Sequence, residues 1–192
     1  PDWINFYHFL GKILVIKQDF SQAALVYQQA IKLKPESGEL YALLGETLVN
    51  LERLDLAAKC YQRAIQISPQ KSGNYRCLGD IYRQQNSLEQ AVIYYEQAIA
   101  IAPQNPWPYI HLSETLIAQN KFEEANKTCK QSLKFNHGKK AGIYRRVSNL
   151  QLKIGSVDDA LNTYQKAVKL NPNHADKIFE QLGSKMKENA TA

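Results

Sequence analysis

Four histidines, three cysteines and two adjacent carboxylate pairs are the residues of this 192-residue chain whose types could do chemistry. His8, His111, His137 and His174 stand far apart. No His-Glu-x-x-His or Cys-x-x-Cys spacing gathers ligands for a metal. Cys60, Cys77 and Cys129 are odd in number and widely spaced, which argues against a disulfide framework and for buried thiols in a reducing, cytoplasmic setting. Glu123-Glu124 and Asp158-Asp159 look like the paired carboxylates of acid–base catalysis. Each pair falls where a helix is expected to begin, and negative charge there meets the positive end of the helix dipole. The nine glycines are scattered, with no loop that could cradle a phosphate. These residues predict no enzyme, no metal and no cofactor.

The remaining chemical feature is a basic cluster, Lys134, Lys139, Lys140, Arg145 and Arg146, with Tyr144 beside it. A base-reading repeat protein needs the same paired polar positions in every repeat, and these are missing, so nucleic acid is disfavoured as a partner. The net charge of +6 is uneven: residues 1–96 carry 10 Lys/Arg and 10 Asp/Glu, whereas residues 97–192 carry 14 and 8. The excess in the second half points to an acidic protein or peptide partner. With 44% apolar and 22% charged residues the chain reads as a folded globular protein. No apolar run approaches the roughly 18–20 residues of a membrane span.

The elements that position these residues are set by a repeat. Leu10-Gly11, Leu44-Gly45 and Leu78-Gly79 recur at a spacing of 34, as do Ala23, Ala57, Ala91 and Ala125. Tyr27, Tyr61 and Tyr95 follow the same period, then Ala30, Ala64 and Ala98, then Pro35, Pro69 and Pro103. After a one-residue slip the pattern resumes as Tyr144, Ala160, Tyr164, Ala167 and Pro172. Within the first copy, residues 4–17 and 20–34 have helical apolar spacing. Helices this short bury their apolar faces only by pairing and by stacking on the next pair. Glycine at mid-helix costs about 1 kcal/mol against alanine, so Gly11, Gly45 and Gly79 imply a close approach that a side chain would block. The prolines end each second helix. Asp19, Ser87 and Ser156 stand where N-caps are expected.

These residues resemble the tetratricopeptide repeat family, as in Tyr7, Leu10, Gly11, Leu14, Ala23, Tyr27, Ala30 and Pro35 of the first copy. The resemblance covers residues 1 to about 174. It implies an all-α, right-handed superhelical solenoid of antiparallel helix pairs: five repeats at about 4–37, 38–71, 72–105, 106–140 and 141–174. Residues 175–192 would form a C-terminal capping helix and tail, with Phe179, Leu182, Gly183 and Met186 at first-helix spacing. Pro1 lies 34 residues before Pro35, which suggests repeats or another domain upstream. Repeat 4 departs from the pattern: Ser113 replaces Gly, Cys129 the aromatic, Ser132 the Ala and His137 the Pro, with a longer turn expected at 137–140.

The resemblance also implies that first helices line a partner-binding groove. By offset its residues are Asn5, His8, Phe9, Lys12, Leu43, Glu46, Arg76, Cys77, Asp80, Arg83, Trp107, His111, Glu114, Arg145, Arg146, Asn149 and Lys153. The carboxylate clamp of the chaperone-binding members is absent, since Leu43 stands where an Asn is wanted. The Asn ladder of the O-linked sugar transferases is absent too: that position reads Phe9, Leu43, Cys77, His111 and Arg146. The expected function is therefore a general protein-interaction scaffold, binding an acidic stretch near Arg145 and Arg146, which can grip carboxylates with two hydrogen bonds each. Two other readings accompany it. One is a non-catalytic arm presenting substrates to a larger enzyme such as a transferase. The other is self-association through the open N-terminal end.

Overall fold

A computed structural model of the protein describes residues 3–135 and 141–172. Among them are ten α-helices and no strand. They divide into two compact units, Pro1–Ala102 and Pro103–Ala192.

Unit 1 holds three helix pairs: α1 (Trp3–Ile16) with α2 (Phe20–Leu33), α3 (Gly38–Asn50) with α4 (Leu54–Ile67), and α5 (Ser72–Gln84) with α6 (Leu88–Ile101). Each pair turns through three residues. The second helix of one pair packs on the first helix of the next, α2 on α3 and α4 on α5. The repeated alanines are the reason the pairs close so tightly: Ala23, Ala30, Ala57, Ala64, Ala91 and Ala98 are all fully buried. A methyl is the largest group that fits where two helices cross at contact distance.

The glycine expectation holds, and the neighbour is a ring. A Cβ on Gly79 would come within 2.7 Å of Tyr95 Cε1, and one on Gly45 within 2.9 Å of Tyr61 Cε2. Gly11 faces Tyr27 in the same way. The tyrosine of each second helix thus lies flat in a notch that glycine opens in the first.

The turns repeat as faithfully as the core. Gln18, Glu52, Asn86 and Asn120 have φ near +60°, and Gly155 has φ of +89°. Each stands just past a first helix. The following amide closes the end, as Asp19 N does on Leu14 O and Arg53 N on Leu48 O, both at 2.9 Å. This left-handed residue ends the helix by satisfying carbonyls that have no partner within it. Of the three expected N-caps, all occupy the cap position, but only Asp19 makes the side-chain bond, accepting from Gln22 N at 3.1 Å. The backbone is alike at all three.

Unit 2 contains α7 (Pro106–Ala118) with α8 (Phe122–Ser132), and α9 (Ala141–Ile154) with α10 (Val157–Leu170). Its departures from the pattern are compensated. Cys129 and Ser132 are fully buried, and Ser113 Oγ donates to Tyr109 O at 2.9 Å and lies 3.3 Å from Ala125 O. Ser148 repeats the device on α9, donating to Ala160 O at 2.8 Å. Where glycine is lost, a hydroxyl therefore ties the first helix to a carbonyl of the second. The longer turn expected at 137–140 and the capping helix expected at 175–192 lie outside the described residues.

Candidate protein-binding site

The residues proposed for the groove all lie on first helices, α1, α3, α5, α7 and α9. In unit 1 many of them are engaged with each other or with near neighbours. His8 on α1 pairs with Glu39 on α3, Nε2 to Oε1 at 3.2 Å. Asn5, Phe9 and Lys12 are exposed, as is Glu46 on α3, while Leu43 is half-buried. On α5, Arg76 holds Asp80 at 2.7 Å, and Asp80 accepts a hydrogen bond from the Tyr95 hydroxyl, also at 2.7 Å. Arg83 Nε donates to the same hydroxyl at 3.4 Å. Burial, with the Asp80 carboxylate beside it, pushes the Tyr95 hydroxyl well above its usual range, so it stays protonated and donating. Cys77 is half-buried, and burial raises its thiol as well. This strip is an ionic lattice across α5 and α6, more support than open binding surface.

Unit 2 places its candidates differently. Glu114 on α7 accepts from Arg146 on α9 through Nη2 at 2.7 Å and Nε at 3.1 Å. His111 Nδ1 stands 3.5 Å from the other carboxylate oxygen. The Arg146 guanidinium also lies 5.7 Å from the Trp107 ring centroid, over its face. Burial works against the ionised carboxylate of Glu114, but the hydrogen bonds and positive charge of His111 and Arg146 outweigh it and hold the group at about 2. Arg146 is thus a tie between α7 and α9.

Its sequence neighbour Arg145 shares a cleft with it. Arg145 is exposed and lines this cleft of about 600 Å3, together with Arg146, Trp107, Asn149 and, from α10 and its C-cap, Tyr164, Val168 and Asn171. Asn149 Oδ1 is buried with no hydrogen-bond partner among the described residues. A buried acceptor without a partner costs on the order of 1–3 kcal/mol. Lys153 on α9 is exposed. The α10 residues of this cleft were outside the expected groove, because the carry-over by offset used first helices only.

Glu123 and Glu124 occupy the first turn of α8, and Asp158 and Asp159 that of α10, where the helix dipole favours them. Asp159 is further tied to α8, accepting from Lys130 at 2.7 Å and Asn126 at 3.1 Å. Among the described residues no group of three or more His, Cys, Asp or Glu could hold a metal ion. None of the described helices is long and apolar enough to cross a membrane.

Paired helices stacked by second-helix-on-first contacts define a helical repeat protein of the kind that binds other proteins. Four tetratricopeptide repeat profiles match the chain, at residues 11–52, 36–104, 82–142 and 141–174. The chain belongs to the tetratricopeptide repeat family. No curated protein sequence matches it. Among solved structures it is similar to a MamA fragment from Desulfovibrio magneticus, at 12% identity over 92% of this chain and 99% of that one, with a TM-score of 0.72. It is also similar to TTC0263, a thermophilic TPR protein of Thermus thermophilus (21% identity, 94% and 97% covered, TM-score 0.68). YrrB, described as a TPR protein with an unusual peptide-binding site, matches at 17% identity over 97% and 90%, with a TM-score of 0.65. At these identities the likeness concerns the fold, and the expected all-α solenoid of helix pairs is the fold they share.

Proposed function

We propose that the chain is a protein-interaction scaffold whose unit 2 cleft holds an acidic segment of a partner protein. The observation that carries this is Arg145, exposed at a cleft whose lining residues include no carboxylate. A partner carboxylate would meet the Arg145 guanidinium through two parallel hydrogen bonds. Trp107 and Val168 supply apolar surface alongside. Peptide binding is described for the fold neighbour YrrB, which supports the class of ligand. Arg146 lines the same cleft and is also tied to Glu114, so Arg145 is the arginine chosen for the test. The test is an array of short peptides varied in charge. Wild type should retain acidic members, and Arg145→Glu should lose them while keeping its helical circular dichroism. Equal retention by both proteins would refute the reading.

Self-association has its own support. Trp3, Phe6, Phe9, Ile13 and Ile16 form a stripe on α1, each at least half exposed. One repeat later, the positions of Phe6 and Ile13 are Leu40 and Thr47, 3% and 1% exposed in α3, the helix on which α2 packs. The stripe is thus the kind of surface that this fold covers with a second helix. Trp3→Ser with Phe6→Ser should abolish any concentration-dependent rise in sedimentation mass. A wild-type monomer mass independent of concentration would remove this reading.

A further inference from the structure

The second-helix side of unit 1 has a cleft of about 400 Å3 between α2 and α4, with α3 beneath it. Leu48 and Leu51 of α3 line its floor. Leu25 of α2 and Leu56 of α4 stand at its two sides, 53% and 47% exposed. Arg53 and Lys59 add two exposed cations, and none of the lining residues is acidic. Glu52, next to Arg53 in the turn, is not part of the lining.

The next step of the same unit shows how this fold treats the same surface when it is closed. Moving along by one repeat, Ser21, Gln28, Leu48 and Leu51 become Asp55, Gln62, Tyr82 and Gln85. There Gln62 Nε2 donates to the Tyr82 hydroxyl at 3.3 Å, and Gln85 Nε2 donates to Asp55 Oδ1 at 2.7 Å. Two side-chain bonds seal α4 against α5. Between α2 and α3 neither can form, because leucine offers no polar atom at either position. The core of the two steps is the same, Ala-for-Ala and Tyr-for-Tyr. They differ in this surface, which is polar and tied in one step, and apolar and flanked by cations in the other. Arg53 and Lys59 become Ser87 and Ile93 one repeat on, while the position of Leu25 there is taken by Lys59.

We propose that this cleft is a second binding site, for an acidic amphipathic polypeptide segment. Its aliphatic side chains enter between Leu25 and Leu56, and its carboxylates meet Arg53 and Lys59. An apolar strip alone would accept any greasy surface, and two exposed cations alone any anion; together they select one molecule carrying both features along its length. The site is separate from the Arg145 cleft and does not depend on it.

The experiment uses three labelled helical peptides and the full chain, read by fluorescence anisotropy. The first carries Leu along one face and Glu on the other; the second has Lys for Glu; the third has Ser for Leu. Wild type should bind the Leu/Glu peptide at least about tenfold more tightly than either counterpart, a difference of about 1.4 kcal/mol. Leu25→Ser with Leu56→Ser changes only half-exposed residues and should lose that binding. Arg53→Glu with Lys59→Glu should turn the preference toward the Lys peptide. Ser21→Asp with Leu51→Gln, which supplies the polar pair found one repeat on, should lose binding with helicity unchanged. The proposal is overturned if wild type does not bind the Leu/Glu peptide, if the cleft variants bind it as wild type does, or if binding is lost only with Arg145→Glu.

Discussion

Gly79→Ala is the substitution on which the packing argument is most exposed. In an ordinary mid-helix position this change stabilises by about 1 kcal/mol, because alanine gives up less backbone freedom. Here the new Cβ would lie 2.7 Å from Tyr95 Cε1 and 2.9 Å from Cδ1. Tyr95 is fully buried and its hydroxyl is held by Asp80, so the ring has no free direction in which to retreat. Overpacking of this kind costs roughly 1–3 kcal/mol, and a strained or broken Tyr95–Asp80 bond adds about 1 more. The helix gain offsets part of this, leaving a net loss of roughly 1–3 kcal/mol. Urea unfolding followed by circular dichroism reads it directly. The chain supplies its own control in repeat 4, where Ser113 sits opposite the small Cys129. Tyr95→Cys alone should cost about 3 kcal/mol or more by leaving a cavity. In the Gly79→Ala/Tyr95→Cys double variant the added penalty of the alanine should vanish. If Gly79→Ala is as stable as wild type, the claim that the notch exists to seat the tyrosine is wrong.

Glu114→Gln should destabilise unit 2 near neutral pH by up to about 3 kcal/mol, the upper value being the drop from 4.5 to about 2 at 1.36 kcal/mol per unit. Arg146 is 41% exposed, so solvent screening favours the lower half of that range. Because the carboxyl is depressed in the folded state, this stabilisation is present above about pH 4.5 and is lost as pH falls toward 2. The wild-type and variant urea midpoints should therefore converge on acidification, and a constant gap would exclude the charge as its source. Glu52→Gly should stabilise the chain by about 0.5–1 kcal/mol in urea unfolding, since Glu52 adopts φ of +58°, where a side chain costs roughly 1–2 kcal/mol and glycine does not; an unchanged or lower midpoint would count against strain there. Burial raises the Cys60 and Cys129 thiols to about 11, so Ellman's reagent at pH 8 should label them slowly in the native chain and fully in urea. Immediate native labelling of Cys129 would contradict its burial.

The core of this protein was legible because one spacing carried it. Any two of Leu-Gly, Ala, Tyr and Pro at a period of 34 constrain the same helix pair, and the burial of Ala23, Tyr27 and Ala30 with their later copies follows. The helix ends were half legible. Asn86, Asn120 and Gly155 are residue types that tolerate positive φ, but Gln18 and Glu52 take the same conformation with no local preference for it. Their backbone is imposed by the pairing of the helices they join. The site was less legible again. Offset counting placed Arg145, Asn149 and Trp107 on first helices, as the structure does. It carried no signal for Tyr164, Val168 and Asn171, which reach the cleft from the α10 side. It also carried none for the Leu48 and Leu51 floor, whose meaning appears only when set against the hydrogen bonds of Tyr82 and Gln85.

Arg145 and Arg146 show why a count of charges along the chain does not give the charge that the surface presents. In sequence they are one doubly charged dipeptide. On a helix, consecutive side chains diverge by about 100°, so although both line the cleft they differ in what else they meet. Arg146 falls on the side facing α7, where Glu114 and Trp107 take its charge and its planar face. Arg145 is turned to solvent and the cleft. The positive excess of the second half of the chain therefore overstates what is open to a partner at this cluster. The same applies in unit 1, where Arg76 is neutralised by Asp80, while Arg53 and Lys59 have no acidic neighbour in the surface they line. What a partner meets in a repeat protein of this kind is the charge left after the helices have tied themselves together, and that remainder is set by contacts between helices, which a count along the chain does not contain.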